Sequence, residues 1–173
     1  MKSDPVEILL VQNRWATRNL IEACGGLSRE AFHQKFEMGV GSLHDTITHI
    51  LGAMRGWGDM LAGREQRPRL EGETRSTQDL LSLLDELSDD LESSAAAHPI
   101  DALVTGERGG RSFTFTRGGV LTHVTTHGMH HRAQCLNMLR QLGVDALPPS
   151  SVVEWILMAD APAGRGAPER GHR

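Results

Sequence analysis

The chain has no tyrosine, only two cysteines, and just three tryptophans and four phenylalanines among its 173 residues. The missing tyrosine removes a phenol from the acids, bases and nucleophiles open to any mechanism. Cys24 and Cys135 stand far apart and form no CxxC pair. A thiolate metal knuckle and a disulfide-stapled scaffold are both excluded. Each cysteine is expected to stay reduced and to pack as a small apolar side chain. Positive charge is also short: 18 Lys and Arg, scattered among 22 Asp and Glu, leave a net charge of −4. That is not the basic stripe of a nucleic-acid surface. No segment reaches the roughly 20 apolar residues that span a bilayer. Asp4, Pro5 and Glu7 precede a short apolar run that breaks at Gln12 to Arg14, unlike a signal peptide. The expectation is a cytoplasmic protein that meets neither nucleic acid nor membrane.

What is present is an ordinary globular balance, 39% hydrophobic and 23% charged, in a length that suits one domain with a buried core. Residues 1–160 are expected to form that domain. The Gly/Pro/Arg-rich "APAGRGAPERGHR" at 161–173 reads as a disordered tail. Apolar residues recur at helical spacing in four long stretches. The first runs from about 5 to 24, with Pro5 in its first turn and Gly25-Gly26 as its stop. Residues 26–40 read as a loop with one short turn near Arg29 to Phe32. Ser42 to Asp45 resembles a capping box and opens a second helix to about Ala62. After a polar loop containing Pro68, Ser76 to Asp79 caps a third helix that ends near Ala97. Residues 101–116 change to alternation around Gly106 and Gly109-Gly110, the pattern of a hairpin with Phe113 and Phe115 on one face. A fourth long helix covers about 117 to 142, and "SSVVEWILMAD" adds a short one. The fold class is all-α, a four-helix bundle with a small β-hairpin before the fourth helix.

Histidine is where this sequence is unusual. Four of its nine histidines fall within "HVTTHGMHHRAQ", residues 123–134. A helix advances roughly 100° per residue, so His127 and His131 share one face, one turn apart. HxxxH is the spacing that lets two imidazoles grip one ion. The same face carries Val120, Val124 and Cys135, so it looks inward. His123 lies on a rotating edge of that face, and His130 points about 100° away from His131. Chance spacing and buried structural histidines remain bland readings of the pair. A third ligand would come from another helix. His44 and His49 both lie on the second helix, and His44, in its first turn, reads as a cap neighbour or surface residue. His33, His98 and His172 fall in loops or the tail.

The stretches "SLHDTITHILGAMRGWGDML" and "GGVLTHVTTHGMHHRAQCLNMLRQLG" resemble the DinB family, the DinB/YfiT-like superfamily of small metalloenzymes. The matching features are Trp15-Ala16 in the first helix, then Ser42, His49 and Trp57, then His127, His131, Arg132 and Gln134 in an HxxxHRxQ helix. The hairpin before that helix fits as well, and the likeness covers about residues 5 to 145. Ala133 stands where the family commonly has glycine. The resemblance implies an up-down-down-up bundle in which His49, His127 and His131 bind one divalent metal, with His123 as a supporting neighbour. It also implies pairing into a homodimer; Phe113, Phe115 or the last helix offer apolar surface for it.

Three neutral imidazoles with positions left open is the pattern of a catalytic metal. Zn²⁺ is the default, and Ni²⁺ or Fe²⁺ also suit imidazole. An open position holding water gives a hydrolase. One holding a thiolate gives a thiol S-transferase or thiol-dependent isomerase acting on a small molecule. The resemblance favours the thiol route, since relatives use low-molecular-weight thiols such as bacillithiol or mycothiol. A non-catalytic stress-response metal-binding module is the third reading. Asp45, one turn before His49, reads either as an orienting carboxylate for that ring or as a helix-start charge. Arg132 reads as an anchor for an anionic cofactor or as a structural ion-pair partner. Trp57 reads as a pocket wall or as core.

Overall fold

The structure, a computed structural model, describes residues 2–108 and 110–160. The tail expected to be disordered, 161–173, lies outside the described residues. In chain order the elements are α1 (Pro5–Cys24), α2 (Arg29–His33), α3 (Leu43–Leu61), α4 (Thr77–Ala97), β1 (Leu103–Arg108), β2 (Arg111–Thr116), α5 (Arg117–Gln141) and α6 (Val152–Met158). Helix starts follow the capping chemistry. Ser28, Ser42, Ser76, Thr116 and Ser151 each accept a backbone N–H of the first turn through the side chain. The box is reciprocal at Ser76/Asp79 and Ser151/Glu154. At Ser42 only half of the expected box forms. Asp45 instead turns its carboxylate to Lys35 and to the His44 ring.

Ion pairs and caps reveal the direction of each long helix. Arg18 and Arg14 on α1 pair with Asp85 and then Asp89 on α4, so rising along one means falling along the other. These two helices are antiparallel. The start of α3 meets the start of α4, where the backbone N–H of Arg75 donates to His44 Nε2 at 3.1 Å. The far ends of α3 and α4 meet through Arg64, which bridges Asp59 and Asp90. Helices α3 and α4 are therefore parallel, and residues 62–76 run back along the bundle to join them. Buried Arg117, at the start of α5, donates to Leu61 O at 2.7 Å and to Ser94 O at 2.6 Å. Its charge sits on the negative C-terminal ends of α3 and α4, so α5 is antiparallel to both. The result is the up-down-down-up bundle, with α1 and α3 each packed against α4 and α5.

The core fills the space these four helices enclose. Leu20, Ile21, Leu43, Ile47, Ile50, Leu51, Leu80, Leu84, Leu87 and Leu91 are all buried there. Each such side chain contributes about 1.5–3 kcal/mol by leaving water. Both cysteines are buried and free, and burial raises the Cys24 thiol to about 12 and the Cys135 thiol further still. The antiparallel hairpin pairs Leu103 with Thr116 and Gly106 with Phe113. Its Phe113 and Phe115 rings lie 5.2 Å apart, and Phe115 stands edge-on to Trp57 of α3 at 6.1 Å. Helix α6 packs on α1 with Trp155 buried, and in the segment before it Ser150 O accepts from the Gln12 amide. Among the described residues no helix is long and apolar enough to cross a membrane.

One buried charge organises the long α3–α4 connection. The Asp59 side chain is fully buried and is held by the Arg67 backbone N–H at 3.0 Å, by the Arg67 guanidinium at 2.9 Å and by Arg64 at 3.0 Å. Burial alone would raise its pKa, but those donors outweigh burial and hold it below the usual 3.8. A depressed carboxylate stabilises the fold above its unfolded value, and that contribution is lost as pH falls through the lower folded value. Asp59→Asn is expected to cost about 2 kcal/mol at neutral pH, discounted because both arginines reach water. Urea titrations from pH 7 to pH 3 should show the gap between variant and parent closing on the acid side; a gap independent of pH would contradict this.

Candidate metal centre

The Arg117 anchor sets the register that builds the site. It holds the first residue of α5 against Leu61, the last residue of α3. His49 lies twelve residues before Leu61, and Met129, midway between His127 and His131, lies twelve residues after Arg117. At about 1.5 Å per residue both are the same distance from the anchor. Antiparallel helices in that register put His49 opposite the gap between the two α5 histidines. The rings meet accordingly: centroids are 4.9 Å apart for His49–His127, 4.7 Å for His49–His131 and 4.4 Å for His127–His131. One ring nitrogen from each of the three lies within 4.8 Å of the others.

The outward nitrogens are dressed unequally. His131 Nδ1 bonds Gln134 Oε1 at 2.8 Å, which leaves its Nε2 for the cluster. His49 Nδ1 faces Glu71 Oε1 at 3.7 Å, and its Nε2 faces His127 Nε2 at 3.2 Å. His127 Nδ1 is buried and has no hydrogen-bond partner among the described residues. Burial is the main reason that His127 is lowered to about 4, with the His131 and His49 rings pushing the same way. Burial also lowers His131; its Gln134 bond opposes the shift, and His49 adds to it. Both rings are thus neutral at pH 7, the form in which imidazole binds a metal.

The other expected site residues separate into near and far. His123 is exposed and stacks beside His127 at 5.6 Å, edge-on to Trp57 at 5.1 Å. Trp57 is half-buried, so it serves as wall and packing at once. His130 lies outside the cluster and meets the Gln134 amide at 3.1 Å. Asp45 does not orient His49. Burial would raise its pKa, yet Lys35, His44 and Ser42 outweigh burial and hold it at about 2, with no bond to the cluster. Arg132 is buried and points the other way, to Asn13 Oδ1 and Thr17 Oγ1 on α1. It ties α1 to α5 and offers no anion anchor. His44, expected near the surface, is buried between Asp45 and the Arg75 backbone. Glu71, placed beside His49 by the α3–α4 connection, was not legible because loop residues carry no periodicity.

Fold and site together define a class: a four-helix bundle with a cluster of three imidazoles supplied by two facing helices. The chain belongs to the DinB family, whose model matches residues 2–153. Among solved structures it is similar to a DinB-like protein from Bacillus cereus ATCC 10987, with a TM-score of 0.64 at 16% identity. That match covers 82% of this chain and 92% of the other. At this identity the likeness speaks for the fold. No curated protein matches the sequence.

The loop before α3 also touches the site. Gly39 has φ +58°, and a Cβ built on it would lie 2.7 Å from Gln134 Oε1 and 3.3 Å from Gln134 Cδ. An L residue there meets both a left-handed backbone and the amide that holds His131. Gly39→Ala is expected to cost about 1–2 kcal/mol in denaturant unfolding. NMR of the ring resonances should show His131 shifted and His33, on α2, unmoved. An unshifted His131 would mean that the loop does not support the site.

Proposed function

We propose that His49, His127 and His131 bind one divalent cation, and that the protein is a metal-dependent enzyme that uses it to activate a low-molecular-weight thiol for S-transfer. The observation that carries the reading is the convergence of three ring nitrogens, two of them on neutral, half-buried rings. The donor set suits the ion. Tetrahedral zinc with Zn–N near 2.0–2.1 Å places its ligand nitrogens about 3.3 Å apart, and the His49 and His127 Nε2 atoms already stand at 3.2 Å. No fourth His, Cys, Asp or Glu joins the group among the described residues, which favours an open, catalytic site over a closed structural one. Zn²⁺ is the first choice, with Ni²⁺ and Fe²⁺ as imidazole-compatible alternatives.

A divalent ion in this site supplies Lewis acidity, which favours the thiolate form of a bound thiol. The chain's own residues do the positioning. His49, His127 and His131 present lone pairs, and Gln134 fixes the His131 ring. Trp57 and His123 flank the cluster on its hairpin side. Overall, the thiol proton passes to solvent, sulfur bonds to the electrophilic carbon, and the leaving group departs. The proposal further includes a cytoplasmic homodimer acting on a small molecule. Phe115 at 42% exposure and Met129 at 59% are apolar surface available for pairing.

Metal content of the purified protein is expected near one ion per chain and to fall at least tenfold in both His49→Ala and His131→Ala. Undiminished metal in both variants would overturn the site. Conjugation of a model electrophile with cellular thiols should require the metal. Thiol-independent ester or amide hydrolysis would point to activated water instead, and metal without turnover of either kind would point to a non-catalytic module.

A further inference from the structure

The α3–α4 connection brings one carboxylate to the back of His49, and nothing in that loop's sequence pattern announces it. We propose that Glu71 is a positioning residue for the metal centre, holding the Nδ1–H of His49 so that its Nε2 faces the cluster. This deepens the metal-site reading above and rests on it.

Two independent lines lead there. The first is the hydrogen-bond logic of the rings. His127 Nδ1 is buried without a partner among the described residues. A buried lone pair without a donor is tolerated far better than a buried N–H without an acceptor. In the metal-free protein the His127 proton therefore sits on Nε2 and is donated to His49 Nε2, 3.2 Å away; coordination of a cation through Nε2 would move that proton to Nδ1. With Nε2 accepting, neutral His49 must carry its proton on Nδ1. The group facing that nitrogen is Glu71 Oε1, at 3.7 Å. This separation exceeds a hydrogen bond, and a side-chain movement of under about 1 Å closes it; contacts of this kind are often long before a site is loaded.

The second line is the construction around Glu71. Its chain neighbour Leu70 is buried in the core. The Leu70 carbonyl accepts from the Arg75 guanidinium at 2.6 Å, and the Arg75 backbone N–H is held by His44. Upstream, Arg67 is clamped on Asp59. The residue on either side of this short segment is thus fixed to α3. Across from Glu71, α3 carries Gly52, one turn beyond His49. A Cβ there would meet Glu71 Oε1 at 3.4 Å and its Cδ at 3.8 Å. Glycine inside a helix costs about 1 kcal/mol relative to alanine; here its missing side chain leaves room for the carboxylate.

Outer carboxylates on ligand histidines fix ring orientation and raise donor strength, and losing one typically lowers metal affinity 10–100-fold. Gln134 plays the neutral counterpart of this part for His131. The test measures Zn²⁺ affinity of the full-length protein by competition with a chromophoric chelator. Glu71→Ala should bind Zn²⁺ at least tenfold more weakly, while Glu71→Gln, which keeps an acceptor oxygen, recovers most of that loss. Gly52→Leu, which displaces the carboxylate without removing it, should weaken binding like Glu71→Ala. The unfolding midpoint of the metal-free protein should be the same for the parent and both Glu71 variants. Separately, ¹⁵N NMR of the metal-free protein should find His49 protonated on Nδ1, with this preference lost in Glu71→Ala. Parent-like affinity in Glu71→Ala, or an unchanged His49 tautomer, would overturn the role of Glu71. Failure of the parent itself to bind any divalent ion would overturn the metal reading instead, and the tautomer measurement keeps the two failures apart.

Discussion

The site depends on a contact some 18 Å from it, the distance of twelve helical residues. Arg117 is buried, carries a charge, and has no carboxylate partner among the described residues; its donors go to the carbonyls of Leu61 and Ser94 at the C-terminal ends of two helices. Those carbonyls have no intrahelical donor, so a cation is the natural cap for both. Capping two helices with one side chain also fixes the level of α5 against α3. A slip of one residue along α5 would move its histidines by about 1.5 Å and swing them by roughly 100°. With the anchor in place, three rings from two helices face one point, and the fold need not spend a loop on any of them.

The electrostatics of the bundle sort its charges by task. The carboxylates of α4 face the arginines of α1 and the α3–α4 connection, and together they define direction and hold the long return segment. Two of the cluster's three rings, His127 and His131, are kept neutral by burial. Neutral imidazoles can lie 4.4–4.9 Å apart without the repulsion that three charged groups would suffer. The same neutrality makes them ready ligands. Beside them, rings from Phe113 through Phe115 and Trp57 to His123 form a continuous aromatic wall that ends at His127. In a chain so poor in aromatics, that concentration gives the cluster an apolar flank.

Much of this was readable beforehand, for local reasons. Helix starts at Ser42 and Ser76 follow from short-range capping, and the HxxxH pair needs only the helical repeat to share a face. The third histidine and the up-down-down-up order came through family resemblance; periodicity says which face of a helix is buried but not which helix lies opposite. Three side chains show that limit. Arg132, one residue beyond His131, has turned about 100° and meets α1 instead of the cluster. Asp45 shares a face with His49 but is claimed by Lys35 from the preceding loop. His44 is buried because the start of α4 folds back over it. Glu71 leaves no signal in the sequence, since its position is dictated by Asp59, Leu70 and Arg75, whose partners are all tertiary.

The most direct test of the account is X-ray absorption at the zinc edge of the Zn²⁺-loaded protein. Three imidazole nitrogens at about 2.0–2.1 Å, completed by a small exogenous ligand that exchanges with added thiol, is the predicted shell. A shell holding sulfur from Cys24 or Cys135 without added thiol, or fewer than three imidazoles, would contradict a centre built by the register of α5 on α3.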